Sequence, residues 1–189
     1  MIPALFALLV LMPFLGLAQT YTIQPENSEV KWAASKITGK HNGTIRVASG
    51  TIEFNGDQFA GGETVIHTPS LTVEDLTGGG KTDLEGHLKS ADFFNVEKFP
   101  SASIKITEAK PAGDNLYDVT ADLTIKGITQ PVQFQAKVEK TDTGVSAGAV
   151  ITIDRTKYDI RYGSGKFFEN LGDKTIHDDF TLEVSVKAA

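Results

Sequence analysis

No cysteine occurs in the 189 residues, so the chain forms no disulfide and has no lipidated cysteine to tether it after export. Charge is missing from Met1 to Ala18. That stretch reads Ile-Pro-Ala-Leu-Phe-Ala-Leu-Leu-Val-Leu after the start and ends Gly16-Leu17-Ala18 before Gln19, the apolar core and small-residue end of a secretory signal peptide. The basic residues that normally precede such a core are also missing, which leaves an uncleaved membrane anchor as the alternative. Export is implied either way, and cleavage after Ala18 leaves residues 19–189 as one domain of ordinary size. Basic residues are the minority, 18 Lys and Arg against 24 Asp and Glu, and they form no cluster. Phosphate-backbone binding needs concentrated positive charge, so no nucleic acid is expected as a partner.

Complete catalytic motifs are missing too. Gly78-Gly79-Gly80-Lys81-Thr82 ends like a phosphate-binding loop, but Asp75 stands where the pattern needs its first glycine, and a carboxylate there repels phosphate. A flexible linker into a helix is the plainer reading. His41, His67, His87 and His177 show none of the tight spacings at which zinc recruits ligands. A nucleophile elbow needs Gly-x-Ser-x-Gly, and the chain offers only Gly163-Ser164-Gly165. No catalytic residue, metal or cofactor is assigned.

What the chain has is alternation. From Leu116 to Lys126, Tyr117, Val119, Ala121, Leu123 and Ile125 point one way while Asp118, Thr120, Asp122, Thr124 and Lys126 point the other. Only an extended strand gives that period of two, with one dry and one wet face. Six stretches alternate in this way, and the candidate strands besides this one are 30–37, 42–54, 59–70, 101–109, 131–140, 144–154 and 179–187, with Tyr21–Ile23 as a short lead-in. Many strands separated by turns predict an all-β antiparallel sandwich or barrel. Pro111–Asn115 and Thr141–Gly144 read as hairpin connections. In 42–54 the apolar parity slips from Ile45 and Val47 to Ile52 and Phe54 across Gly50, the place for a bulge that bends the strand.

Two segments break the alternation. Thr82–Ala91 puts Leu84, Leu88 and Ala91 on one helical face, and Thr82 with Glu85 fits a capping box, so a short helix is expected over about 82–91, packed on the sheet. Residues 156–174, with Tyr158, Tyr162, Phe167 and Phe168, form a long irregular excursion before the last strand. The dry faces also combine aromatics with the small Ala34, Ala121, Ala136, Ala147 and Ala149. An eight-stranded barrel is just wide enough to be plugged by side chains or to hold one ligand, so small inward residues favour a lumen.

Leu88-Lys89-Ser90-Ala91-Asp92-Phe93-Phe94-Asn95-Val96-Glu97-Lys98-Phe99-Pro100, followed by Leu123–Thr129 and by Asp154-Arg155-Thr156-Lys157-Tyr158, resembles the hallmark segments of the YceI-like polyisoprenoid-binding family. The likeness runs in order from about Thr20 to Val186. It implies an eight-stranded lipocalin-like barrel, exported to the periplasm, that holds a long isoprenoid, quinone-like or fatty amphiphile and often forms a homodimer. Transient contact with a membrane is a further expected partnership, and no conserved catalytic apparatus is implied. One departure falls after Tyr158, where Asp159 replaces the glycine of many members. Parity and the hallmark segments together select Trp32, Phe93, Phe94, Leu123, Phe134, Ile151 and Phe180 for the lumen or its mouth, with packed core as the alternative for each. His41, Arg155 and Tyr158 are the candidate head-group partners. Two other functions compete: an exported metal-dependent enzyme using His177, Asp178 and Asp179, and an envelope stress protein that binds another protein.

Overall fold

The computed structural model describes residues 17–189, so most of the apolar run assigned to a leader, Met1–Gly16, lies outside the described residues. The order along the chain is β1 (Ala18–Thr22), β2 (Glu29–Lys36), β3 (Gly39–Asn55), β4 (Gln58–His67), α1 (Gly78–Lys89), β5 (Ser101–Gly113), β6 (Leu116–Ile125), β7 (Ile128–Thr141), β8 (Gly144–Asp154) and β9 (Ile176–Ala188). Every pairing is antiparallel. Strands β2 to β9 close a ring, because β2 pairs with β9 from Glu29↔Ser185 to Lys36↔Ile176 and β3 pairs with β4 from Arg46↔His67 to Asn55↔Gln58. Closure leaves the barrel strands few open edges.

The lead-in at Tyr21–Ile23 belongs to a ninth strand. β1 lies on the lower half of β3 (Ala18↔Asn55 to Thr22↔Thr51) and β2 on its upper half (Val30↔Ile45 to Lys36↔Gly39), so the two form one strand interrupted at Pro25–Asn27. The parity slip in β3 is a register shift between Val47 and Ser49. At Gly50 an added Cβ would collide with the Glu63 carbonyl and the Ile23 side chain, which is why glycine sits at this bend.

Two expectations are corrected. The helix runs from Gly78 to Lys89, not 82–91, so the three glycines read as a linker form its first turn and Ala91 is exposed beyond its end. No capping box forms: Thr82 Oγ1 donates to the Gly78 carbonyl, and Glu85 Oε1 accepts from the Val73 amide at 2.8 Å. Glu85 thus fastens the helix to the preceding loop and is not available to cap its start. The connection read at Pro111–Asn115 is only the turn Asp114-Asn115, with Asn115 at φ 58. Pro111 lies within β5 opposite Tyr117, beyond the point where β5 pairs with β4 and at a register irregularity, both places where a strand tolerates proline.

Candidate functional site

The lower end of the barrel is closed by packing. Tyr21, Phe54, Phe59 and Tyr117 form an aromatic chain with centroid separations of 5.8, 5.9 and 5.3 Å. Lys140 Nζ lies over the Phe54 ring and donates to Gln19, to the Gly56 carbonyl and to Asp57. Above this plug the bore opens into a cavity of about 200 Å³. Its lining on β9 runs from Ile176 to Val186. At a rise of about 3.3 Å per residue and a tilt of about 40°, that segment extends roughly 25 Å along the barrel axis.

Inward-facing Phe134, Ala147, Ala149, Leu182 and Val184 are only partly buried although they pack against the core clusters. The surface they leave accessible lines the lumen. Ala34 and Ala136 line it as well, whereas Ala121 is fully buried and contributes to the packed region instead.

The upper end is built by the long connections. Residues 71–75 run along the edge of β3 that β4 has left: the Thr72 amide donates to the Thr44 carbonyl and the Glu74 amide to the Asn42 carbonyl, both at 2.9 Å. Gly43 is required there, since a Cβ would collide with the Thr72 carbonyl. Trp32 Nε1 donates to that same carbonyl at 2.9 Å and holds its ring in the cavity wall with Leu71 and Val73. The hallmark segment folds into a compact turn in which the Phe94 amide donates to the Leu88 carbonyl, the Asn95 amide to Ser90 and the Val96 amide to Lys89. The turn delivers Phe93 and Phe94 to the cavity, where Phe94 meets Phe180 edge-on at 6.2 Å.

All seven apolar residues selected from the sequence, Trp32, Phe93, Phe94, Leu123, Phe134, Ile151 and Phe180, line this one cavity, and Arg155 joins them at its upper end. His41 and Tyr158 do not. His41 Nδ1 faces Asp75 Oδ2 at 2.8 Å on the outside of the loop that covers β3. Desolvation pushes the Asp75 carboxyl up, but hydrogen bonds from the Asn42 amide and His41 outweigh it and hold it below the usual carboxylate range. Tyr158 is buried beneath the excursion with its hydroxyl unpartnered, and burial, helped by the nearby Asp154 charge, pushes its pKa up to about 12.

Arg155 is almost wholly buried. Its guanidinium donates to the carbonyls of Ile160 (2.9 Å), Ile176 (3.0 Å) and His177 (3.1 Å), tying both ends of the excursion to β9. Burial draws its pKa down, with Asp178 and Asp154 opposing. Lys166 Nζ bridges Asp154 at 3.0 Å and Asp178 at 3.1 Å. Asp154 and Asp178 are therefore engaged by cations, and among the described residues no group of His, Asp and Glu is arranged to hold a metal. Asp159 adopts φ 57, ψ 34, a left-handed conformation that glycine takes freely and Asp tolerates, so the replaced glycine leaves this turn intact.

What sequence reasoning missed is the lid: the loop 71–75 carries no assignment and Gly43 falls within the 42–54 strand, because the approach of Thr72 to Gly43 depends on residues far apart along the chain.

A closed antiparallel barrel with one end packed by aromatics, the other covered by loops and an oily lumen between them is the architecture of lipocalin-like binding proteins. The chain belongs to the YceI-like domain family, whose model matches residues 21–188. It is 35% identical over 96 residues to Protein YceI of Escherichia coli O6:H1, a match that spans 51% of this chain and 48% of that protein, so the alignment reaches about half the length of the curated relative. In fold it resembles BcnA of Burkholderia cenocepacia (TM-score 0.72, 19% identity, 88% of this chain and 99% of that one). It also resembles a polyisoprenoid binding domain from Saccharophagus degradans implicated in plant cell wall breakdown (TM-score 0.63, 16% identity, 92% and 98%).

Proposed function

We propose that this chain is an exported, periplasmic or secreted protein that sequesters or carries a long-chain isoprenoid, or a similar quinone-like or fatty amphiphile, in the barrel lumen. The observation that carries the reading is the partly accessible interior: Phe134, Ala149, Leu182 and Val184 face inward onto an unfilled cavity of about 200 Å³. An apolar chain gains about 0.8 kcal/mol per buried methylene, so ten methylenes give about 8 kcal/mol before ordering costs, enough for roughly micromolar affinity. No reacting group is needed to hold such a ligand, and the name of the Saccharophagus relative supports an isoprenoid.

Head-group selection falls to the upper end. Arg155 is the charged side chain of the lining that is buried, and three of its N–H groups are committed to carbonyls. The remaining donors suit a neutral oxygen such as a quinone carbonyl better than a free anion, which Asp154 and Asp178 would repel. Organic extraction of the protein purified from its source, followed by mass spectrometry, is expected to release one long-chain amphiphile at near-stoichiometric yield. Extracts without lipid, together with no uptake of a polyprenyl quinone by the refolded protein, would refute the reading.

A further inference from the structure

Six large hydrophobic residues are exposed among the described residues: Leu17, Ile37, Val150, Tyr162, Phe167 and Phe168. Four of them gather at the upper end of the barrel. Ile37 (56% accessible) sits at the tip of the β2–β3 hairpin, while Tyr162 (46%), Phe167 (46%) and Phe168 (49%) project from the excursion. The two elements touch, because the Ile37 amide donates to the Thr175 carbonyl and the Thr175 methyl lies against Gly165. Tyr162 in turn packs on His87 of α1 at 4.5 Å and on Phe93 at 5.6 Å, and Phe93 lines the lumen. An apolar path therefore runs from the outer rim to the cavity wall.

The rim is also basic in an acidic protein. The chain carries a net charge of −6, yet in the two rim segments, residues 36–40 and 156–174, Lys36, Lys40, Lys157, Arg161, Lys166 and Lys174 outnumber Asp159, Glu169 and Asp173. Arg161 pairs with Asp159 and lies over the Phe167 ring at 4.9 Å, and Lys166 bridges two aspartates. Lys36, Lys40, Lys157 and Lys174 have no ion-pair partner among the described residues. Exposed aromatics beside unpaired lysines fit the boundary of an anionic bilayer, where rings enter the head-group layer and lysines meet lipid phosphates. A second copy meeting this face about a two-fold axis would set the same lysines against one another, so the charge favours the membrane.

We infer that the upper rim, centred on Ile37, Tyr162, Phe167 and Phe168, docks on the surface of an anionic lipid bilayer and places the lumen's upper end against it. The choice of a bilayer rests on the lipid-carrier reading above, but its test does not. Vesicles of phosphatidylcholine with and without a minority of phosphatidylglycerol are floated with the full chain, so that the amino-terminal apolar run is common to every sample. A Phe168→Trp variant supplies a local probe, since the single native tryptophan, Trp32, is buried in the wall. Docking at the rim gives a blue-shifted indole, quenched by brominated acyl chains, on the anionic vesicles and weakened by added salt. Replacing both half-exposed rings, Phe167→Ser with Phe168→Ser, is expected to lower vesicle partition by about 25-fold, on the order of fivefold per ring. Circular dichroism and uptake of a polyprenyl quinone delivered from ethanol should stay unchanged in that variant.

An unshifted indole on floated protein, equal partition of the double variant, or paired copies in sedimentation that the serine variant separates would each overturn the docking surface. Docking without quinone uptake would sustain the rim and overturn the carrier reading. Uptake without docking does the reverse.

Discussion

Ala149→Phe tests whether the barrel is hollow. Ala149 lies in the lower half of the lumen between Ala136 of β7 and Val184 of β9 and lines its cavity. A phenyl ring there displaces roughly four methylenes of ligand, about 3 kcal/mol at 0.8 kcal/mol each, or a loss of about two orders of magnitude in affinity. The same ring buries apolar surface in the empty protein, so folding stability should hold or rise by up to about 2 kcal/mol, a few degrees in melting temperature. A solid interior behaves oppositely, because overpacking costs about 1–3 kcal/mol. Ala121→Phe provides that contrast: Ala121 is fully buried and outside the lumen lining, so its replacement should lower the melting point. Displacement of a fluorescent fatty acid reports affinity, and thermal circular dichroism reports stability. Unchanged affinity in the Ala149 variant, or a melting-point loss equal to that of the Ala121 variant, would refute the hollow barrel.

Gly43→Ala drives a methyl into the Thr72 carbonyl, so the covering loop must lift and release Trp32 Nε1; a cost of about 2 kcal/mol and a red-shifted tryptophan emission are expected, and an unshifted spectrum counts against the closure. Tyr158→Phe removes a buried hydroxyl that has no partner, so stability should be unchanged or slightly higher; a loss above about 1 kcal/mol in urea would show a bond the structure lacks. With the folded Tyr158 pKa near 12, above the usual tyrosine value, its contribution is complete below about pH 10 and is lost as pH rises through about 12. The 295 nm titration of the wild type should accordingly show one late tyrosine that the Phe variant lacks. Desolvation raises the Asp154 carboxyl, but hydrogen bonds from Thr156 and Lys166 outweigh it and hold the carboxyl below the usual range, so its contribution is present above about pH 4 and fades as acid protonates it. Asp154→Asn should therefore be less stable than wild type at neutral pH and converge with it in strong acid; a constant gap would point to packing instead.

The strands were legible wherever one face is dry, because side-chain direction in a strand depends on local order alone. β6 shows this residue by residue, with Tyr117, Val119, Ala121, Leu123 and Ile125 all buried. β1 was faint because its stability comes from pairing with the distant β3 rather than from its own pattern. The helix start was misplaced because the capping box that suggested it does not form: Glu85 instead reaches the Val73 amide, a contact outside the helix. Parity also assigned Ala121 and Ala149 the same inward status, although one is packed and the other borders empty space. That difference depends on volumes contributed by neighbouring strands, which no single strand encodes.

Arg155 joins the lumen to the excursion. Its bonds to Ile160, Ile176 and His177 make the excursion's two ends one unit with the upper end of β9, and its guanidinium stands 6.0 Å from the Phe93 ring at the cavity wall. A buried cation that satisfies three carbonyls is costly to remove, because truncation leaves those acceptors unpaired and Asp178 without its nearby charge. Selection for a stable excursion and selection for a polar group at the lumen's upper end therefore act on the same side chain. Arg155→Lys separates the two roles: one ammonium preserves the charge but cannot span three carbonyls in the guanidinium's planar geometry. If head-group contact dominates, amphiphile affinity falls more than stability. If tethering dominates, the excursion loosens first and amide exchange at Ile160 and Ile176 accelerates before affinity changes.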